Sequence, residues 1–312
     1  MSKLYKLYKV LKNPNLIGVF IIQKLSRLIK SDEKYLQWYY YLNMHKRLNL
    51  ETPTTYNEKL NWLKLNDRNP LYVTLVDKLK VKEYVTEKIG ADHIIRTLGI
   101  WKRAEDIEWE NLPNRFVLKT TQGGGNVGVI ICHNKSELNI SKTVASMNAA
   151  LKQDLYSTSR EWPYKNVEPL IFAEEYMEDE HGELRDYKFF CFDGKCKMMF
   201  VATERQTRKE PFFNFFDENY NPLPFKQGHP INPHIPEKPE AYDEMIHIAE
   251  ELSKGFPHVR MDLYVINKKV YFGEFTFYHF GGVIPFEPAV WDKKIGTWLT
   301  LPIKRNNIDI NN

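Results

Sequence analysis

From Leu170 onward the chain repeats one pattern, short apolar and aromatic runs joined by two-residue turns, and this limits the sheet it can build. Residues 170–176, 187–192, 197–202, 261–266 and 270–275 read as strands. Asp193-Gly194 joins the second run to the third, and Asn267-Lys268 joins the fourth to the fifth. Two residues can reverse a strand but cannot carry a parallel crossover, so these pairs are antiparallel. A parallel, doubly wound sheet is therefore disfavoured. Aromatics make up 14% of the chain, which suits β-structure and buried clefts and not disorder.

The first 70 residues read as helical. Ser31 precedes an aromatic-rich helix, and Thr55 with Glu58 forms a capping-box pattern ahead of 59–65, a segment that Asn69-Pro70 closes. Residues 77–89 read as a further helix, stopped by Gly90. The period then changes. Residues 116–119 and 129–132 are strand-like and flank a glycine loop, so they read as a hairpin. Helices are expected at 141–154 and 243–253, and an ordered, proline-bearing loop at 221–240. Three regions follow: helical 1–70, a lid-bearing α+β subdomain at 71–172, and a second α+β subdomain at 173–312.

A balance of 44 basic against 40 acidic residues, net +4, does not suit a dedicated nucleic-acid binder. Cys132, Cys191 and Cys196 have neither disulfide-framework nor zinc spacing, so reduced thiols and a cytoplasmic setting are expected. Lys3, Lys6, Lys9 and Lys12 precede an apolar run at 16–22 that is too short to span a bilayer. Two placements stay open for it: a helix docked on the core, or one lying on the inner membrane face with its lysines near anionic lipid.

Four stretches carry chemistry. Lys119 ends a strand just before Gly123-Gly124-Gly125, where backbone N–H groups can approach phosphate oxygens without Cβ interference. The plainer reading is a flexible hairpin with an exposed lysine. Asp262 and Glu274 fall roughly opposite each other across the Asn267-Lys268 turn. Two facing carboxylates repel unless a cation joins them, and Mg²⁺ takes one or two carboxylates plus nucleotide phosphates. Arg260 shares the Asp262 face and could reach a phosphate; the plainer reading is a solvated strand face with surface ion pairs. Glu174, Glu175 and Tyr176 close an apolar strand, a surface strand end unless they read a nucleotide. Lys188 lies among apolar residues on a strand, where a lysine either snorkels out or meets an anion.

The order of these stretches resembles the ATP-grasp superfamily and, more narrowly, the TupA-like (teichuronopeptide-biosynthesis) ATP-grasp proteins found with bacterial surface-polysaccharide genes. The resemblance is carried by Thr55-Tyr56-Asn57-Glu58-Lys59-Leu60, by Asp77-Lys78, by 116–119 with its glycine loop and by 186–192. Arg260-Met261-Asp262-Leu263-Tyr264 and Tyr271-Phe272-Gly273-Glu274-Phe275-Thr276-Phe277 complete it. It covers roughly residues 14–301 and implies an α+β ATP-grasp fold, two subdomains clasping ATP, with a helical N-terminal extension.

By the same resemblance Lys78 and Lys119 would hold ATP phosphates, and Gly123, Gly124 and Gly125 would form a lid. Glu174, Glu175 and Tyr176 would carry adenine and ribose. Asp262, Glu274 and Thr276 would form the Mg²⁺ site, and Arg260 and Lys188 would stand at the reacting phosphate or substrate. Thr276 replaces the asparagine of the usual Glu-x-Asn, the lid has glutamine where a His-Gly-Ser-Gly-like string is usual, and 278–282 departs from a Pro/Ser-like loop. His279 could touch substrate or simply pack that loop. The implied activity is a ligase that converts a carboxylate of a small-molecule or glycan-linked substrate into an acyl phosphate for attack by an amine. A kinase using the same site, a glycosyltransferase, and a scaffold on the membrane face are the competing readings; no Asp-x-Asp motif supports the glycosyltransferase.

Overall fold

The structure is a computed structural model that describes residues 15–302, apart from 126, 180, 181, 183, 205–207 and 209. Lys3, Lys6, Lys9 and Lys12 therefore lie outside the described residues.

The chain opens with α1 (Asn15–Lys24) and α2 (Asp32–Met44). Ser31 caps α2 by accepting from the Lys34 N–H at 3.3 Å. α1 docks on α2: Ile22 is buried, and a Cβ on Gly18 would come within 2.7 Å of Leu42 Cδ2. The expected capping box is formed at α3 (Tyr56–Asn66), where the Glu58 N–H donates to Thr55 Oγ1 at 3.3 Å and the Thr55 N–H donates back to Glu58 Oε2 at 3.0 Å.

Two sheets follow. The first holds β1 (Thr97–Trp101), β2 (Phe116–Thr120), β3 (Val129–Cys132) and β4 (Ile171–Glu175) in the order β1-β4-β2-β3. The second holds β5 (Asp186–Phe192), β6 (Lys195–Thr203), β7 (Phe212–Asp217), β9 (His258–Ile266) and β10 (Lys269–Thr276) in the order β10-β9-β5-β6-β7. Every pairing in both is antiparallel, and for β5 with β6 and β9 with β10 the two-residue turns require it. A two-strand ribbon joins β8 (Lys226–Gln227) to β11 (Phe286–Glu287).

The second sheet carries the main core. On α8 (Tyr242–Ser253), Met245, Ile248, Ala249 and Leu252 are buried at spacings of three, four and seven, which turns one helix face onto the strands. The first sheet has its own core, in which Phe116, Leu118, Ile171 and Ala173 meet Met147 of α6 (Ile140–Leu151).

Several sequence expectations need correction. The helix expected over 77–89 starts only at Val81, as α5 (Val81–Ile89), and an unexpected short helix, α4 (Leu71–Val76), precedes it, because the Asp77 carboxylate accepts from the Leu79 and Lys80 N–H groups and turns the chain between the two. Lys78 thus lies in that turn and not in a helix. The helix expected over 141–154 ends at Leu151, and Asp154 caps a separate α7 (Leu155–Ser159). The 56–66 helix stops at Asn66, and Pro70 instead opens α4. Residue 172, the expected subdomain boundary, falls inside β4. Residues of α3 and α4, Tyr56, Leu60, Tyr72 and Leu75 among them, belong to the core of the second sheet, whereas α1 and α2 share a smaller core of their own with Val283. No helix among the described residues is long and apolar enough to cross a membrane.

One buried contact ties α3 to the sheet. Tyr56 Oη donates to His258 Nε2 at 2.9 Å, and His258 Nδ1–H donates to the Cys191 carbonyl at 2.9 Å. Burial pulls the His258 pKa down to about 3, and Arg260 adds to the effect. The unfolded chain therefore takes up a proton near pH 6.5 that the folded chain refuses until about pH 3. Stability should be full above pH 6.5 and fall as pH drops below it, by up to about 1.4 kcal/mol per unit from this residue. Urea melts between pH 7 and 5 on the chain and on His258→Gln should show a shallower slope for the variant.

Candidate active site

The second sheet brings four charged side chains together by register. Lys188 of β5 stands opposite Asp262 of β9, and Asp262 stands opposite Glu274 of β10, past a bulge at Gly273. Alternation puts Arg260 on the Asp262 face. Arg260 grips Asp262 through Nε and Nη2, both at 2.7 Å, and Lys188 binds the same carboxylate. Lys188 also lies 3.1 Å from Asp186. Burial pushes the Asp262 carboxyl up, and the Arg260 and Lys188 charges oppose it.

Glu274 sits at the rim of this cluster with 32% of its side chain exposed. Burial would raise its carboxyl, but Lys78, Lys188 and Arg260 outweigh it and hold the pKa at about 2, so Glu274 is ionised at neutral pH. Lys78 Nζ is 3.4 Å from Glu274 Oε2 and donates to the Gly123 carbonyl, so it joins the second sheet to the glycine loop.

On the first sheet, Lys119 of β2 and Lys82 of α5 each reach Glu174 of β4 at 2.5 Å. Burial pushes Glu174 up and Lys82 down, and the ion pairing opposes both effects; the balance leaves Glu174 lowered. Lys82 was not singled out from the sequence. It is placed there by α5, and its amine also donates to the Ile95 carbonyl and Thr97 Oγ1, both at 2.8 Å.

The glycine loop is built for close backbone approach. A Cβ on Gly123 would lie 2.6 Å from the Val127 carbonyl oxygen, whereas one on Gly125, at φ 59°, meets nothing within 4 Å.

The remaining expected residues diverge. Glu175 points to the other face of β4, where its carboxylate lies 3.6 Å from Arg96. Tyr176 packs under the Arg115 guanidinium at 3.9 Å, also away from the lysines. Thr276 accepts from Arg260 Nη2 at 3.0 Å and so joins the cluster. His279 is fully buried: Nδ1 accepts from Arg260 Nη1 at 2.6 Å, and Nε2–H donates to Gln227 Oε1 at 3.1 Å. Burial and Arg260 keep its pKa well below the usual value, which fits the neutral ring those two bonds require. Of the two readings of His279, packing is the one the structure shows.

Two residues beside the cluster gave no sequence signal. Lys64 of α3 is buried and donates to the Gly281 carbonyl at 2.7 Å and to the Ser159 carbonyl at 2.9 Å. Burial draws its pKa to about 8 against the opposing charge of Glu161. Glu161 approaches the same glycine, with Oε1 3.8 Å from where a Gly281 Cβ would lie. Both partners are reached only through tertiary folding.

Asp262, Glu274 and Thr276 are all oxygen donors, as Mg²⁺ requires. Glu274 has an exposed, ionised carboxylate for it. Asp262 is already held by Arg260 and Lys188, so a cation there would share it with them. The set fits Mg²⁺ through Glu274 first, with too few carboxylates to complete a shell without phosphate or water oxygens.

Residues 58–300 match the model of the TupA-like ATP-grasp family, well over half of the chain, and the chain belongs to that family. Its α+β architecture of two antiparallel sheets is the ATP-grasp fold the sequence leads one to expect. Among solved structures it is similar to D-alanine–D-alanine ligase from Bacillus anthracis (16% identity, 65% of this chain, 57% of that chain, TM-score 0.40). It is also similar to the corresponding ligase from Helicobacter pylori (16% identity, 79% of this chain, 69% of that chain, TM-score 0.41). A third is the ATP-grasp ligase PsnB complexed with minimal precursor, Mg and ADP (11% identity, 70% of this chain, 57% of that chain, TM-score 0.37). The chain spans little more than half the length of the first and third of these. At such scores the superpositions add nothing to the family match. A comparison with curated proteins finds no match.

The loop that carries Gly281 and Gly282 packs closely on α3. Gly282 has φ 64°, and a Cβ there would lie 2.7 Å from Asn61 Nδ2 and 3.0 Å from the Asn57 carbonyl oxygen. Gly282→Ala should cost about 2 kcal/mol or more in denaturant melts, whereas Gly125→Ala, equally left-handed but facing open space, should cost about 1 kcal/mol.

Proposed function

We propose that this chain is a Mg²⁺-dependent ATP-grasp ligase that activates a carboxylate, on a sugar acid or a glycan-linked group, for coupling to an amine during bacterial surface-polysaccharide assembly on the cytoplasmic side. The observation that carries it is the meeting of Lys78, Lys188 and Arg260 at the ionised rim carboxylate of Glu274, beside a glycine loop. Family membership supplies the reaction class; the polysaccharide setting and the chemical class of the two substrates are inferred from the family resemblance.

The substrate carboxylate oxygen attacks the γ-phosphorus of ATP, the bond to the β-γ bridging oxygen breaks, and ADP leaves. The amine nitrogen then attacks the acyl carbon, phosphate departs with the C–O electrons, and the nitrogen loses a proton. In this scheme Lys119 and Lys78 bind phosphate oxygens from the two sides of the glycine loop, and Lys82 keeps Glu174 ionised beside them. Arg260 and Lys188 stabilise negative charge on the oxygens that separate during transfer. Glu274, with Asp262 behind it and Thr276 alongside, would hold Mg²⁺, which when bound neutralises phosphate charge. Backbone N–H groups of 123–125 close over the phosphates and exclude water from the acyl phosphate.

Products from ATP, Mg²⁺, sugar acids and amines, followed by ³¹P NMR, test the reading. ADP and free phosphate should form only when both carboxylate and amine are present. Glu274→Gln should lower that rate by about 10²-fold or more. ADP with a phosphoester and no free phosphate would replace the ligase by a kinase, and no turnover with any pair would remove its main support.

A further inference from the structure

The positive charge of the chain is concentrated at one end. Residues 1–31 carry seven Lys and Arg and no Asp or Glu, so the rest, with 37 basic against 40 acidic residues, is net negative. The described part of this end is the α1–α2 hairpin. Its inner side is packed, with Ile22, Tyr35, Leu36 and Tyr40 buried. Its outer side is apolar and open: Phe20 is 60% exposed, Trp38 59% and Leu28 76%. Between the helices runs a groove of about 300 Å³ lined by Ile21, Leu25, Ile29, Trp38, Tyr41 and Leu42. A contiguous apolar surface of this kind marks an interaction site.

Cations border it. Lys24 Nζ stands 5.5 Å over the Phe20 ring, and Lys30 and Lys34 are exposed at the turn between the helices. Two occupants compete on charge. A second copy packed through the same patch would bring two cation-rich ends together, which is repulsive. An anionic lipid surface is complementary to them, takes apolar side chains into the acyl boundary, and favours Trp and Tyr at headgroup depth.

We propose that the α1–α2 hairpin is a membrane-surface anchor that seats the protein on an anionic bilayer. The seat is rigidly connected to the rest of the fold. Arg160 donates to the Ser26 and Ile29 carbonyls at 2.7 and 2.8 Å and pairs with Asp32 at 3.1 Å, and Tyr35 Oη donates to the Thr158 carbonyl at 2.7 Å. The next residue, Glu161, flanks Gly281 beside the charged cluster. The hairpin is therefore held in a set position relative to that cluster. The anchor does not rest on the ligase chemistry.

Sedimentation of the full chain with phosphatidylcholine vesicles, with and without about one-third phosphatidylglycerol, tests it. Binding to the anionic vesicles should be at least about tenfold tighter than to the neutral ones and should weaken as salt rises. Phe20→Glu with Ile21→Glu should abolish it, and Lys24→Gln with Lys30→Gln should weaken it by about tenfold. These side chains are exposed, so the variants should melt with the parent chain, and the salt titration of the parent needs no variant. Absence of anionic-vesicle binding, or equal binding to both vesicles, overturns the proposal. So does a concentration-dependent dimer in light scattering that Phe20→Glu splits while vesicles stay unbound, which would assign the face to a second copy.

Discussion

The buried grip of Arg260 on Asp262 organises the site. Arg260 uses two nitrogens on one carboxylate, a third contact on His279 and a fourth on Thr276, while Lys188 takes the same Asp262 from the neighbouring strand. Three strands and the loop after β10 are thereby held to one geometry. His279 passes the constraint on to Gln227 of β8, whose amide donates to the Ile284 carbonyl at 3.0 Å. A buried pair of this kind is weak evidence for net stability, but loss of one partner strands a charge at a cost of about 3–5 kcal/mol. Its value here is positional: it aims cations and carboxylates at a common rim.

At that rim Lys78 joins the two sheets by touching both the glycine loop and Glu274, and near the other end of β10 His93 Nδ1 meets the Val270 carbonyl at 2.9 Å. On the first sheet the Lys82–Glu174–Lys119 trio carries an excess cation, and on the second Glu274 faces Lys78, Lys188 and Arg260. Cationic groups from both sheets converge on one rim, the electrostatic setting a polyphosphate requires. The glycine loop adds N–H groups without side-chain bulk.

Much of this was legible because it rests on local periodicity. The turns at Asp193-Gly194 and Asn267-Lys268 set the registers, and the opposition of Asp262 to Glu274 follows from counting along one hairpin. The caps at Ser31 and Thr55 were equally local. What escaped notice depends on distant chain. β7 is Phe-rich and buried on both faces, so it lacks the alternation that signals a strand. The late start of α5 is local by contrast, and turns on the one Asp77 side chain that accepts from Leu79 and Lys80. Lys64 and Glu161 are nearly a hundred residues apart and gain meaning only at Gly281. The divergence of Glu175 from Glu174 follows from the twofold alternation of β4, which sends neighbours to opposite faces, whereas Tyr176 lies past the end of that strand.

Hydrogen–deuterium exchange of the full chain, with and without Mg²⁺ and a non-hydrolysable ATP analogue, addresses the central claim most directly: one nucleotide site is built jointly by both sheets. Nucleotide should slow exchange together in 116–130 and in 258–276, with the same midpoint in analogue concentration. Protection confined to one of these segments, or none at millimolar analogue, would contradict a site shared between the sheets.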